Sequence, residues 1–159
     1  MVRSHIEYAN AVWSPYKDYL IEDMERVQKR ATKLVKGLRL LSYKERLINL
    51  HLPTLKFRRL RGDMIEVYKI LSGVYDVHVC PTLLRSEEVR TRGNCLKLKT
   101  NRTKYDIRKY SFCNRIVKVW NSLPDEIVAA DSVNCFKNKL DLYWSKEDIY
   151  YNYEADLFV

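Results

Sequence analysis

The strongest constraint on this chain is a helical one. Apolar residues return every three or four positions in stretch after stretch, and little interrupts them. Leu20, Met24, Val27, Ala31, Leu34 and Val35 make one such stripe. Leu60, Met64, Val67, Tyr68 and Leu71 make a second; Phe112, Ile116, Val119 and Trp120 a third; and Val133, Phe136, Leu140 and Tyr143 a fourth. Spacing of this kind puts each set on one face of an α-helix, facing a core. Only four glycines and four prolines occur in 159 residues, which disfavours a turn-rich β architecture. The expected class is mainly α: a small helical domain of about five to six helices with at most one short extended segment.

Local signals place the boundaries. A helix is predicted over 18–36, with Glu22, Asp23 and Glu25 early, Lys33 and Lys36 late, and Gly37 as the stop. That is the charge order a helix dipole favours. Ser42 and Glu45 form a capping box for a short helix over 43–50. Thr54 caps a helix reaching Leu71, with Gly62 weakening its middle by about 1 kcal/mol relative to alanine. Further helices fit 108–121, a short piece opened by Pro124, and 133–144 behind Ser132. Alternation over 94–100 marks the extended segment, Leu96 and Leu98 pointing one way and Cys95, Lys97 and Lys99 the other. Three regions follow: 1–16, which reads as the end of a truncated preceding element; 17–144, the helical body; and 145–159, an acidic, aromatic tail. An uncovered patch around Tyr8, Val12 and Trp13 would fit a chain entered part-way through a larger structure.

Charge carries the functional signal. The chain has 29 Lys and Arg against 20 Asp and Glu, a formal charge of +9. Residues 1–144 hold +12 of this, and residues 145–159 hold −3. Residues 26–61 contain twelve cations against Glu45 alone, and residues 85–118 contain eleven against Glu87, Glu88 and Asp106. Arg26, Lys29, Arg30 and Lys33 share a helix face that could lie along a phosphate backbone. The loop Thr91-Arg92-Gly93-Asn94 could bring N–H groups close to phosphate. Tyr43, Phe57, Tyr105, Tyr110 and Phe112 are interleaved with the charge, as base-stacking residues or as core. The residues expected to touch nucleic acid are Arg26, Lys29, Arg30, Lys33, Arg58, Arg59, Arg61, Arg90, Arg92, Lys97, Lys99, Arg102, Arg108 and Arg115.

Other chemistries lack their residues. The cysteines at 80, 95, 113 and 135 match no paired metal-ligand spacing, and His78 with Cys80 supplies only two ligands. They read as free thiols of an intracellular protein, in the nucleus or the cytoplasm, with no signal peptide, no membrane span and no membrane partner. No cofactor and no metal are expected. Two-metal polymerase or nuclease chemistry needs clustered carboxylates. The adjacent acids are Glu22-Asp23, Glu87-Glu88, Asp125-Glu126 and Glu147-Asp148, and two of these pairs are explained by helix starts. No phosphate-binding glycine loop, G-x-S-x-G or H-E-x-x-H string occurs.

A series of short strings resembles one family. Val2 to Tyr8, Val12-Trp13-Ser14-Pro15-Tyr16 and Glu25 to Lys33 are similar to the region downstream of the reverse-transcriptase palm in non-LTR (LINE-type, jockey- or CR1-like) retrotransposons. Leu41 to Leu47, Arg58 to Ile70, Thr91-Arg92-Gly93 and Trp120-Asn121-Ser122-Leu123-Pro124 continue the series in the same order, and Ser132 to Trp144 resembles its closing helix. Ser4 stands where a proline is usual. The resemblance covers about residues 2–144. It implies the thumb and C-terminal segment of an RNA-directed DNA polymerase, gripping RNA template and nascent DNA. The catalytic carboxylates would belong to the palm, itself an expected partner, so the isolated chain is expected not to be an enzyme. Two alternatives stand beside this: a stand-alone nucleic-acid-binding module, remnant or repurposed, and a protein-interaction domain with incidental positive charge.

Overall fold

The computed structural model describes residues 7–76, 78–86 and 94–157. Among them run seven α-helices: α1 (Asp18–Lys33), α2 (Tyr43–Asn49), α3 (Leu55–Leu71), α4 (Asp106–Lys109), α5 (Phe112–Asn121), α6 (Asp125–Val128) and α7 (Val133–Trp144). A 3₁₀ turn follows at Asp148–Tyr150. The mainly α class is what forms. The helix count exceeds the expected five to six because the predicted 108–121 helix is two helices. Ser111 takes an extended conformation between them, its hydroxyl donating to the Arg108 carbonyl at 2.7 Å. Serine and asparagine side chains that bond nearby carbonyls compete with the helix ladder, and Asn114 adds a second donor to the same carbonyl. The expected extended segment contributes an isolated antiparallel bridge from Leu98 to Arg85. Leu98 is buried and Cys95 and Lys99 are exposed, as the alternation predicts, while Leu96 and Lys97 are both half-buried and do not follow it.

The chain divides into two compact units, α3 belonging to the first up to Leu60 and to the second from Arg61. Unit 1 contains 7–10, 14–60 and 144–157 of the described residues; unit 2 contains 11–13, 61–76, 78–86 and 94–143.

In unit 1 the caps behave as the sequence predicts. Ser42 N–H donates to Glu45 Oε2 at 2.7 Å and Glu45 N–H to Ser42 Oγ at 3.3 Å, the reciprocal capping box. Thr54 Oγ1 accepts from Phe57 N–H at 3.1 Å, capping α3. The end of α1 departs from the prediction: the helix stops at Lys33 with Leu34 as its C-cap, three residues before the expected 36, and Gly37, at φ +87°, turns the chain beyond it. The α1 orientation also corrects the sequence reading. The stripe expected to face the core faces solvent: Leu20 is 37% exposed, Val27 41% and Leu34 86%. Glu25, Gln28 and Thr32 are buried in its place.

The physical reason lies in what α1 covers. The turn before α3 and the first residues of α3 present backbone groups with no helical partner of their own. Glu25 accepts from Lys56 N–H at 2.9 Å and from the Tyr43 hydroxyl at 2.7 Å. Its carboxylate therefore sits at the positive end of α3. Gln28 Nε2 donates to the Pro53 carbonyl and to Tyr43 Oη, both at 3.1 Å. Thr32 Oγ1 donates to the Gln28 carbonyl at 3.0 Å and accepts from Arg46 Nε at 3.1 Å, and Arg46 also donates to the Leu41 carbonyl. An unsatisfied buried polar group costs about 1–3 kcal/mol, comparable to what burying one leucine gains, about 1.5–3 kcal/mol. Apolar α1 residues could not have satisfied these groups.

Unit 2 keeps its apolar faces inside. Met64 and Val67 of α3, Ile116 and Trp120 of α5, and Phe136 and Leu140 of α7 are all at most 1% exposed. Tyr68 stacks on Phe136 with ring centres 4.4 Å apart, and its hydroxyl donates to the Ala130 carbonyl. Asn94, also buried, donates to the carbonyls of Trp120 (2.8 Å) and Leu123 (3.2 Å), satisfying the end of α5. On α5 Val117 is buried and Val119 half-buried, and on α7 Tyr143 is 48% exposed while Trp144 is buried.

No helix among the described residues is long and apolar enough to cross a membrane. All four cysteines are free thiols, and the described residues hold no group of three or more metal-ligating side chains.

Candidate nucleic-acid interface

Eleven of the fourteen cations expected at the interface fall into three sets. Four are held by internal partners. Arg58 pairs with Glu7, Nη2 donating to Oε2 at 2.6 Å. Arg59 is 5% exposed and donates to the Met24 sulfur at 3.6 Å. Arg61 makes a two-pronged pair with Asp141, Nη2 to Oδ2 at 2.7 Å. Arg115 does the same with Asp63, both bonds at 2.9 Å. Forked pairs of this geometry, as at Arg61 and Arg115, are strong and engage two of the guanidinium's five donors. These arginines brace α3 within each unit: Arg58 and Arg59 in unit 1, Arg61 and Arg115 in unit 2.

The second set is open. Arg26, Arg30 and Lys33 on α1 are exposed, as are Lys99, Arg102 and Arg108 in unit 2. Among the described residues Arg26 pairs with Asp23 on its own helix, at 2.9 Å, and both side chains are about half exposed. Such a surface pair is worth little and yields readily to a phosphate. Lys97 is half-buried. Arg90 and Arg92, with Thr91 and Gly93 of their loop, lie outside the described residues.

Lys29 is the third case. It points from the basic face of α1 into the C-terminal segment. Its ammonium donates to Tyr153 Oη at 2.8 Å and lies 4.2 Å from the Tyr153 ring centre, with the Tyr43 ring 5.5 Å away. Lys56 meets the same segment, donating to the Ala155 carbonyl at 2.9 Å and to Asp156 at 2.6 Å. The segment is anchored upstream: Ile149 is fully buried, Thr54 bonds the carbonyls of Ile149 (2.7 Å) and Tyr150 (2.9 Å), and Tyr150 lies 4.7 Å from Phe57. The negative, aromatic tail thus folds onto two lysines of unit 1.

Unit 2 adds a groove that the list of candidates missed. It encloses about 470 Å³ between Thr100–Thr103 and the start of α5. Lys109, Lys118 and Arg115, the last already paired with Asp63, supply charge, Asn101 and Asn114 supply amides, and Tyr110 supplies a ring. Lys109 sits 5.1 Å from the Tyr110 ring centre. Lys99, Arg102, Lys104, Arg108, Lys109 and Lys118 are all exposed and make no ion pair among the described residues. The available signal was the run of cations over 97–118, with Asp106 as its one acid. What hid the groove is that its walls come from both sides of the Tyr110–Ser111 break, where the sequence predicts one continuous helix.

Of the aromatics interleaved with charge, Phe57 is buried and Tyr43 is engaged with Glu25. Tyr105 is 76% exposed, and Tyr110 lines the groove. Comparison with protein-family models, curated proteins and solved structures finds no match to this chain.

Proposed function

We propose that this chain holds nucleic acid through its phosphate backbone and is the gripping, C-terminal part of a non-LTR retrotransposon reverse transcriptase. The observation that carries the binding reading is a groove with amides, a tyrosine ring and the exposed cations Lys109 and Lys118, in a stretch that also exposes Lys99, Arg102, Lys104 and Arg108, none of the six making an ion pair among the described residues. Lysine and arginine displace condensed counterions from phosphates, so affinity comes with steep salt dependence. The amides and Tyr110 suit an unpaired strand, whose exposed bases can stack on a ring. Both RNA template and nascent DNA fit this chemistry, in the nucleus or the cytoplasm.

The retrotransposon assignment rests on the ordered strings of the sequence. The exposure of Tyr8 (79%), Val12 (85%) and Trp13 (40%) supports it, as residues against which a palm would pack. In this reading the chain positions substrate and supplies no catalytic group. Mg²⁺ or Mn²⁺ should give no primer extension with the chain alone, and template-dependent incorporation would overturn that part.

Binding of a labelled single-stranded RNA and the matching DNA, titrated from low to physiological salt, tests the main claim. The expected result is an affinity falling at least tenfold over that range. Micromolar or weaker binding that does not change with salt would reject it.

A further inference from the structure

We propose that α1 is a self-association helix, through which two copies of this chain pair in antiparallel fashion. The inference is independent of nucleic-acid binding and starts from the α1 correction. Leu20, Met24, Val27, Ala31 and Leu34 follow one another at alternating steps of four and three. That is the repeat of a two-helix seam rather than of a helix lying on a broad core. The fold leaves this seam uncovered. Leu20, Val27, Ala31 and Leu34 are exposed and Met24 is half-buried, while the neighbouring polar face is the one that packs inward. A single exposed leucine means nothing. A whole seam turned outward on a helix that buries a glutamate is a docking surface.

The flanking charges select the occupant. Asp23 and Arg30 border the seam on its solvent side, seven residues apart, both exposed. Ile21 and Gln28 border it on the other side. In an antiparallel pair with Leu20 opposite Ala31 of the second copy, and Met24 opposite Val27, Asp23 of each copy meets Arg30 of the other. The two-fold axis makes that contact twice. Sliding by one heptad would set Arg30 against Arg30. A parallel pair would bring together the acidic ends (Asp18, Glu22, Asp23) and the basic ends (Arg30, Lys33, Lys36). An acidic partner would meet Glu22 and Asp23, and so would an anionic lipid surface. The flank complements itself better than it complements a partner of either single charge.

Four apolar layers make a small interface, so the dimer should be weak, with a dissociation constant of about 1–100 µM. Sedimentation of the full chain, freed of nucleic acid by high salt, reads this directly across that concentration range. The expected result is a reversible monomer–dimer equilibrium. Asp23→Arg and Arg30→Asp should each weaken it about tenfold or more by placing like charges opposite, and the double swap should restore it. Val27→Glu should abolish it. These positions are exposed, so circular dichroism should stay unchanged in every variant. A wild-type chain that stays monomeric at the highest concentration would overturn the proposal. So would a dimer that ignores both single charge reversals.

Discussion

In unit 2 the interior around α5 and α7 is made of rings and aliphatic chains: Trp120, Phe136, Tyr68, Ile116 and Leu140. In unit 1 the buried side of α1 is Glu25, Gln28 and Thr32, bonded to Tyr43, Pro53, Arg46 and the backbone of α3. The difference shows when an apolar stripe predicts burial. It does so where the surface to be covered is itself apolar, as between α5 and α7. It fails where the surface is a helix start and a turn whose N–H and C=O groups need partners. There the polar side of an amphipathic helix is the better cover, and the apolar side is left for something else.

The contrast makes its largest prediction at the two interiors. Phe136→Ala removes a fully buried ring stacked on Tyr68 and should cost about 3–5 kcal/mol in chemical denaturation. Glu25→Ala strands the Tyr43 hydroxyl and the Lys56 N–H and should cost about 1–3 kcal/mol, whereas Glu25→Gln, which keeps an acceptor, should cost less. If Glu25→Ala left stability unchanged, the network would not be what selects the buried face of α1.

The second prediction separates bracing cations from open ones. Lys109→Gln with Lys118→Gln should weaken binding of single-stranded RNA and lower the salt slope by about one per lysine, with no change in unfolding. Arg115 also lines the groove, but buried Asp63 holds its guanidinium, so Arg115→Gln should act on stability first, lowering the denaturation midpoint, with a smaller change in salt slope than the lysine pair gives. A reversed pattern would mean that the arginine, and not the two lysines, is the groove's contact with phosphate.

The tail gives a smaller effect. Tyr153 and Asp156 occupy Lys29 and Lys56, so Tyr153→Ala with Asp156→Asn should raise nucleic-acid affinity several-fold, most at low salt. Removing all of 145–159 would be a poor version of this experiment, because it takes away buried Ile149 as well. No gain in the double variant would mean that Lys29 and Lys56 stand outside the interface.

What the sequence made legible follows from the range of the forces involved. Helix starts depend on near neighbours, and Ser42 and Thr54 were read correctly from the chain alone. The unit 2 faces depend on a single apolar stripe meeting another, and Met64, Trp120 and Phe136 were found. The pairing of Arg61 with Asp141 spans 80 residues, and that of Arg115 with Asp63 spans 52, so nothing local separates those arginines from Arg102 or Arg108. That is why the candidate list mixed braces with open charges. The burial of Glu25 likewise depends on where the start of α3 lies, which periodicity does not encode.

The smallest effect tests the local end of that scale. Glu45 is fully exposed, and its carboxyl is held below the usual value of 4.5, first by the bonds it makes with Ser42 at the start of α2. A carboxyl whose folded value is depressed contributes stability above its unfolded value and loses it as pH falls through the folded one. Ser42→Ala should therefore lower stability at about pH 7, and the gap to wild type should narrow at an acidic pH below the depressed folded value, as the Glu45 half of the box takes up its proton. Thermal melts of the two proteins at both pH values measure it. A gap that stays constant on acidification would show the serine hydroxyl acting alone, and the reciprocal bond to Glu45 contributing nothing to the start of α2.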